Sequence, residues 1–281
     1  MKIGFIGAGK VGYSLGRYFV ERQVPVIGYY SRHPESAQDA ANFTKTEFFD
    51  DVSKLVEQSD AIFVTVPDGQ ISSVYDEIRK LNIKNKQICH CSGAMTAREA
   101  FSDIAEHGAF GYSIHPLFPV SSKYESFRDL KDAFFCLEGD EKYLGEWMEL
   151  FQGFGNPTRV IDGTKKTAYH AACAISSNLV CALVSESISL LLECGFSEEE
   201  ALQALMPLAK SNINKVFQVG PKEALTGPVE RCDVETVRKH LDCFLSEEQT
   251  QMYRAVSRCL VKIAKERHPD VDYSSMGKVI N

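Results

Sequence analysis

The chain opens on a short apolar run, Lys2–Ile6, that leads straight into Gly7, Gly9 and Gly12. An amphipathic stretch, Val11–Glu21, follows without a spacer. A strand that turns through glycines directly into a helix is the opening of a parallel β-α-β unit, and few other folds accommodate it. In that setting each glycine has its own task. Gly7 allows the tight turn, Gly9 lets the backbone approach a pyrophosphate, and Gly12 lets helix pack closely on strand. The free N–H groups at the helix start then hold phosphate charge. The expected cradle is Gly7, Ala8, Gly9, Lys10, Val11 and Gly12.

The alternation of apolar and amphipathic runs continues to residue 162. Strand-like runs fall at Pro25–Tyr30, Thr46–Phe49, Ala61–Val66, Gln87–Cys91, Gly111–Ile114, Ala133–Glu138 and Thr158–Ile161. Val52–Gln58, Ser72–Leu81, Ala97–His107 and Lys142–Phe154 fit helices better. Runs such as Ala61–Val66 are apolar throughout, as strands covered on both faces should be. The expected class is α/β, a Rossmann-type and mostly parallel sheet followed by an all-helical C-terminal domain. After Ile161 the strand signal stops. Lys165–Cys194 reads as one long helix, ended by Gly195. Ser197 with Glu198–Glu200 starts another that runs to Gly220-Pro221. Asp233–Phe244 and Ser246–Glu266 read as two more, with Ser246 and Gln249 as a capping box. The tail from His268 is expected to be loosely held. The expected division is a dinucleotide-binding domain at 1–162 and a helical substrate and dimerisation domain at 163–281.

Composition sets the remaining bounds. Of 281 residues, 44% are hydrophobic and 25% charged, which excludes a disordered or fibrous chain. A net charge of −7 without a Lys/Arg run gives no footprint for nucleic acid. No apolar stretch is read as reaching the roughly 18 residues that span a bilayer. Ser176, Ser177 and Asn178 interrupt the longest candidate, Ala171–Val184. Neither a membrane partner nor a signal peptide is expected. Nine scattered cysteines are too few for a disulfide scaffold and read as reduced thiols of a cytoplasmic protein. Cys89 and Cys91 have no second pair at a zinc spacing, so no metal is expected.

The end of the second strand selects the cofactor. An NAD site places Asp or Glu there for the ribose 2′-hydroxyl. Here the chain reads Tyr30-Ser31-Arg32-His33, and no carboxylate comes before Glu35. Ser31 and Arg32 offer a hydroxyl and a guanidinium for a 2′-phosphate, so NADP is expected over NAD. The fourth strand ends in Val66-Pro67-Asp68 and the fifth in His90-Cys91-Ser92-Gly93. Ligands sit outside the carboxyl ends of strands in open α/β sheets, which brings both segments to the nicotinamide end. Asp68 is read either as a cofactor-side residue or as the N-cap of the next helix. Ser92 and Gly93 are candidates to bind a substrate carboxylate.

With these residues in view the chain resembles Rossmann-like oxidoreductases whose C-terminal half is a helical domain of unknown function. The resemblance rests on His90-Cys91-Ser92-Gly93-Ala94, Ser113-Ile114-His115-Pro116-Leu117, Tyr169-His170-Ala171-Ala172 with Ser177-Asn178, and Leu225-Thr226-Gly227-Pro228 followed by Arg231, Asp233 and His240. That family is similar in architecture to β-hydroxyacid dehydrogenases, ketopantoate reductase and pyrroline-5-carboxylate reductase, with a C-terminal domain like that of 6-phosphogluconate dehydrogenase. It implies NADPH binding, an oxidoreductase and a homodimer through the helical domain. The dehydrogenases carry a Lys and an Asn four residues apart on the first helix of the second domain. Here Lys166 is followed at that spacing by His170, and Asn178 comes eight residues later.

Lys166, His170, Cys173 and Ser177 recur at i, i+4, i+7 and i+11 and so share a helix face. Reduction of a carbonyl needs a hydride and a proton, and Lys166 or His170 can donate the proton. Asn178 or Ser177 can hold the substrate oxygen. His115, at a strand end and fixed by Pro116, is the second candidate acid. Arg231 is a candidate for an anionic substrate. The expected activity is NADPH-dependent reduction of a small, anionic carbonyl or imine compound. A non-catalytic NADP-binding sensor or scaffold, and a deazaflavin-linked NADP reductase, are the competing expectations.

Overall fold

The computed structural model describes every residue from Met1 to Asn281. Eight strands form one sheet: β1 (Ile3–Ile6), β2 (Val26–Tyr30), β3 (Glu47–Phe48), β4 (Ala61–Val64), β5 (Gln87–His90), β6 (Phe110–Leu117), β7 (Phe134–Gly139) and β8 (Thr158–Val160). Between them lie α1 (Lys10–Glu21), α2 (Pro34–Thr44), α3 (Val52–Gln58), α4 (Asp68–Ile78), α5 (Ala97–Ala100) and α6 (Glu141–Gly153). The strand order is β3-β2-β1-β4-β5-β6-β7-β8. All neighbours run parallel except β6 and β7. The order reverses beside β1, and this is the switch point at which a Rossmann sheet binds ligand.

Both faces of the sheet are covered, which is why its strands read as continuous apolar runs. Ile3, Phe5 and Phe63 pack under α1 and α6 with Phe19, Trp147 and Phe151. Ile62, Val64 and Ile88 pack on the other face with Leu55, Ile71 and Ile78. Two elements depart from the sequence expectation, which has no helix at Pro34–Thr44. Helix α2 carries no strong apolar stripe, since its buried side chains are Ala37, Ala40, Ala41 and Thr44; only Pro34 at its first turn announces it. The helix expected over Ala97–His107 stops at Ala100 and continues as turns to Gly108.

The chain packs as two compact units, Met1–Ala174 and Ile175–Asn281. The strands end at Val160, but the first unit keeps the opening turns of the helix that follows. That helix is not one continuous rod. It divides into α7 (Lys166–Ser176) and α8 (Asn178–Glu193) at Ser177, whose φ of −126° and ψ of −76° leave the helical region. Three consecutive polar residues, Ser176-Ser177-Asn178, are weak helix formers and explain the break. Counted with the preceding turn, Gly163–Glu193 is long and apolar enough to cross a membrane by length and composition, although none of that apolar stretch is buried. The polar interruption therefore does not keep the segment below the spanning length, as the sequence reading held.

The second unit continues with α9 (Glu198–Ala224), α10 (Val234–Asp242), α11 (Glu247–Arg267) and α12 (Ser274–Ile280). Ser197 and Glu200 cap α9 reciprocally, and Gly220 (φ 82°) interrupts it where the glycine-proline pair foretold. Ser246 caps α11, but Gln249 uses its side chain on Leu245 N–H and Glu186 rather than completing a box. The tail is ordered: Tyr273, Met276 and Ile280 are buried with Val229, Val237 and Val261 in a small core of their own. Apolar residues at helical spacing in the last ten positions carried that signal.

Candidate active site

The glycine turn is built as its spacing requires. Gly7 has φ 101°, and its carbonyl accepts a hydrogen bond from Thr65 Oγ1 at 2.8 Å. A Cβ on Gly12 would lie 2.5 Å from that same hydroxyl oxygen, so only glycine lets α1 settle against β4. Gly9 is the N-cap of α1 and has no side chain to occupy the free N–H groups of its first turn. A cavity of about 330 Å³ opens there, lined by Gly7, Ala8, Gly9, Ser31, Arg32 and His33, with Val66 and Pro67 on the β4 side. Arg32 is exposed and donates to Gln70 Oε1 at 3.0 Å, which aims the guanidinium along the cavity wall. The acidic group in the lining is Glu77 of α4 and not the tip of β2. An exposed cation, a hydroxyl and a bare helix N-terminus in one cavity fit a phosphorylated dinucleotide. Lys10 and Val11 begin α1 but do not line this cavity.

At the carboxyl ends of β5 and β6 lies a second cluster, and burial governs it. His90 is fully buried; its Nδ1 accepts Ser92 N–H at 3.1 Å, and its Nε2 has no partner. Burial, with the nearby Lys166 ammonium, pushes its pKa down to about 3. Lys166 is 2% exposed, donates to Ser113 Oγ and lies 3.7 Å from Glu138 Oε2. Burial lowers its pKa while Glu138 opposes the shift. Glu138 also accepts Ala97 N–H at 2.8 Å. Lys166 is thus a buried ammonium tying α7 to β6 and β7.

His115 and His170 meet over Gly93. A Cβ at that position would lie 2.9 Å from His115 Nε2 and 2.9 Å from His170 Cδ2. His170 is exposed and His115 half-buried. Burial, then Lys166 and His170, push the His115 pKa down to about 4, so its imidazole is neutral at pH 7. Its Nδ1 is 2.6 Å from the Tyr169 hydroxyl.

Several expected residues are placed differently. Ser92 Oγ donates to Asp68 Oδ2 at 2.6 Å and accepts the N–H groups of Ala94 and Met95, so its hydroxyl shapes the turn. Asp68 is not an N-cap: Pro67 holds that position, and the Asp68 carboxylate is engaged by Ser92. Asn178 starts α8 in the second unit and accepts from Ser177 Oγ. Arg231 is an exposed residue of that unit. No group of three or more His, Cys, Asp or Glu side chains is arranged to hold a metal ion. Tyr169, Ser113 and Glu138 were not singled out from the sequence. Tyr169 and Ser113 carried a signal, as members of the quoted segments around His170 and His115; Glu138 carried none.

A glycine cradle at the switch point of a Rossmann sheet, with one histidine from β6 and one from α7 beyond the strand ends, defines an NAD(P)-linked oxidoreductase. Residues 2–91 match the family model of NADP oxidoreductases, coenzyme F420-dependent. Residues 133–259 match a domain of unknown function, DUF2520. The chain is similar in structure to protein TM1727 from Thermotoga maritima (28% identity, TM-score 0.73, covering 94% of this chain and 98% of that one). It shares its fold with a reductive aminase from Aspergillus terreus in complex with NADPH and ethyl levulinate (14% identity, TM-score 0.68, covering 100% and 99%). The same holds for a pyrroline-5-carboxylate reductase from Coxiella burnetii (12% identity, TM-score 0.60, covering 94% and 97%). No curated protein sequence matches the chain.

Proposed function

We propose that this protein is a cytoplasmic, homodimeric reductase that uses NADPH to reduce a small anionic carbonyl or imine compound. The observation that carries the reading is the pairing of His115 and His170 over Gly93, beyond the carboxyl end of β5, the strand next to β4, after which Val66 and Pro67 line the dinucleotide cavity. Bound NADPH supplies the hydride. The chain supplies the rest: Gly7–Gly12 hold the pyrophosphate, and Ser31 and Arg32 hold the 2′-phosphate. The exposed imidazole of His170, as its imidazolium, hands a proton to the oxygen or nitrogen of the reduced double bond and regains one from solvent. Burial, with the nearby Lys166 ammonium, keeps His115 neutral. The exposed apolar faces of the second unit support a dimer, and the buried thiols Cys89 and Cys136 support a reducing compartment.

The cofactor choice is tested directly. NADPH should bind more tightly than NADH, and Arg32→Ala should narrow the difference by about 1–3 kcal/mol, the range of a charge-assisted contact. Equal affinities in the parent protein would remove the 2′-phosphate from the Ser31–Arg32 site. Activity is tested as NADPH oxidation across 2-keto acids, semialdehydes and cyclic imines. The match of residues 2–91 favours one second reading, in which a deazaflavin is the hydride partner. NADP reduction by reduced deazaflavin, with no turnover on the carbonyl panel, would select it. NADPH binding with turnover on neither leaves the sensor or scaffold.

A further inference from the structure

The antiparallel register of β6 and β7 sets His115 opposite Cys136. Directly paired residues in such a ladder project from the same face of the sheet. Tyr169, one turn into α7, lies over both. Its ring meets the His115 ring edge-on, with centroids 5.7 Å apart and planes at 88°. Its hydroxyl sits 2.6 Å from His115 Nδ1. The sulfurs of Cys136 and Cys173 also lie within hydrogen-bonding reach of that hydroxyl.

This geometry decides where the protons are. Burial, with the neighbouring thiols, raises the phenol pKa well above its ordinary value, so the hydroxyl keeps its proton. Burial, the Lys166 ammonium and His170 hold His115 neutral, opposed by the Asp68 carboxylate. One O–H and one imidazole N–H must be distributed over the pair. A proton on Nδ1 would point at the phenol oxygen and leave the O–H to a thiol sulfur, a weak acceptor. A proton on Nε2 lets the O–H donate to the nitrogen lone pair, the stronger acceptor.

We propose that Tyr169 is a positioning residue: its hydroxyl donates to His115 Nδ1 and so holds the imidazole proton on Nε2, the nitrogen set over Gly93. His115 then acts as a neutral hydrogen-bond donor toward the oxygen or nitrogen of the double bond being reduced. The assignment rests on the reading that substrate reaches Gly93. The tautomer itself does not depend on that reading. Nor does the proposal compete with His170, whose ring reaches the same point through carbon.

The experiment is nitrogen-15 NMR of the seven histidines in the full-length protein at pH 7, with the His115 signal assigned through His115→Gln. The expected result is a protonated Nε2 and an unprotonated Nδ1 in the parent protein. In Tyr169→Phe, which keeps the ring and removes the donor, the two nitrogen shifts should move toward each other. A protonated Nδ1 in the parent, or unchanged shifts in Tyr169→Phe, overturns the proposal. The parent measurement stands whether or not the variant folds. With a reducible substrate, Tyr169→Phe should lower kcat roughly tenfold to hundredfold with little change in KM. A correct tautomer with unchanged kcat in Tyr169→Phe would discard the assignment of His115 as the substrate's donor and leave the hydrogen bond standing. Absence of any NADPH binding would instead discard the oxidoreductase reading, and the NMR result would be untouched by it.

Discussion

Gly93 leaves room for two imidazoles and little else, and this concentrates the chemistry of the first unit on His115 and His170. His170 is the exposed member of the pair and lies in a different place from the phosphate cradle. His170→Ala should therefore leave NADPH affinity nearly unchanged while turnover falls by roughly 10²–10⁴-fold, the usual share of general acid catalysis. If the ring only packs, thermal stability should drop and the folded remainder should keep its turnover. Calorimetry and single-turnover kinetics on the same sample separate the two. Both histidines were legible in the sequence, one as a strand-end residue before proline and one on a helix stripe. The part that was not legible is how hydrogen bonds are shared. Ser92 reads as a free hydroxyl until its bonds to Asp68, Ala94 and Met95 are seen. Lys166 reads as a solvated acid until Ser113 and Glu138 close around it. Asp68, Ser113 and Glu138 are distant in the chain from the side chains they bind, and no local pattern encodes them.

The central strands and the helices of the first unit follow from periodicity because β1, β4 and β5 are apolar on both faces and α1, α4 and α6 each bury one side against the sheet. What escaped were elements without that contrast: α2, whose buried side is mostly alanine, and the Ser177 break, where three polar residues sit inside an apolar run. Close approach of elements is equally hidden, since it depends on a glycine meeting a particular partner. Gly16 of α1 is such a case. A Cβ there would overlap the Tyr29 hydroxyl and lie 2.9 Å from Tyr29 Cζ. Tyr29 cannot retreat, because it is fully buried, stacks on Phe5 at 5.1 Å and donates to Gly12 O at 3.2 Å. Gly16→Ala should cost about 1–3 kcal/mol of overpacking, against about 1 kcal/mol gained in helix propensity. The urea midpoint should fall. Adding Tyr29→Phe, which deletes the overlapping oxygen, should recover part of the loss; a double variant no better than the single one would place the strain elsewhere.

Across the whole molecule two properties follow from what is buried and what is not. His90 and His115 have folded pKa values depressed to about 3 and about 4, against about 6.5 unfolded. The unfolded chain binds more protons between those values, so stability is full above pH 6.5 and is lost as pH falls toward 4 and 3, by up to about 1.4 kcal/mol per pH unit for each histidine. His90→Asn keeps an acceptor for Ser92 N–H without titrating, and its urea midpoint should fall less steeply between pH 6.5 and 4; parallel slopes would count against His90 as a source. The second property is the apolar surface of the second unit. Leu202, Met206, Ile213 and Phe217 fall at i, i+4, i+11 and i+15 on α9 and are 47%, 66%, 43% and 83% exposed. Eleven residues make about three turns, so these four form one stripe. Leu179, Leu183 and Leu192 of α8 are exposed as well. A stripe of this kind on a polar-capped helix suits burial against a second copy, where a two-fold axis would pair it with itself. Sedimentation at micromolar concentration should give a dimer, and Met206→Glu with Phe217→Glu should give a folded monomer, since two buried carboxylates would face each other across the axis. Co-flotation of the parent protein with lipid vesicles, lost in the same double variant, would assign the stripe and the apolar Gly163–Glu193 segment to a membrane surface instead. A parent monomer that ignores vesicles would leave the helical unit without the partner its surface calls for, and would sink the dimer.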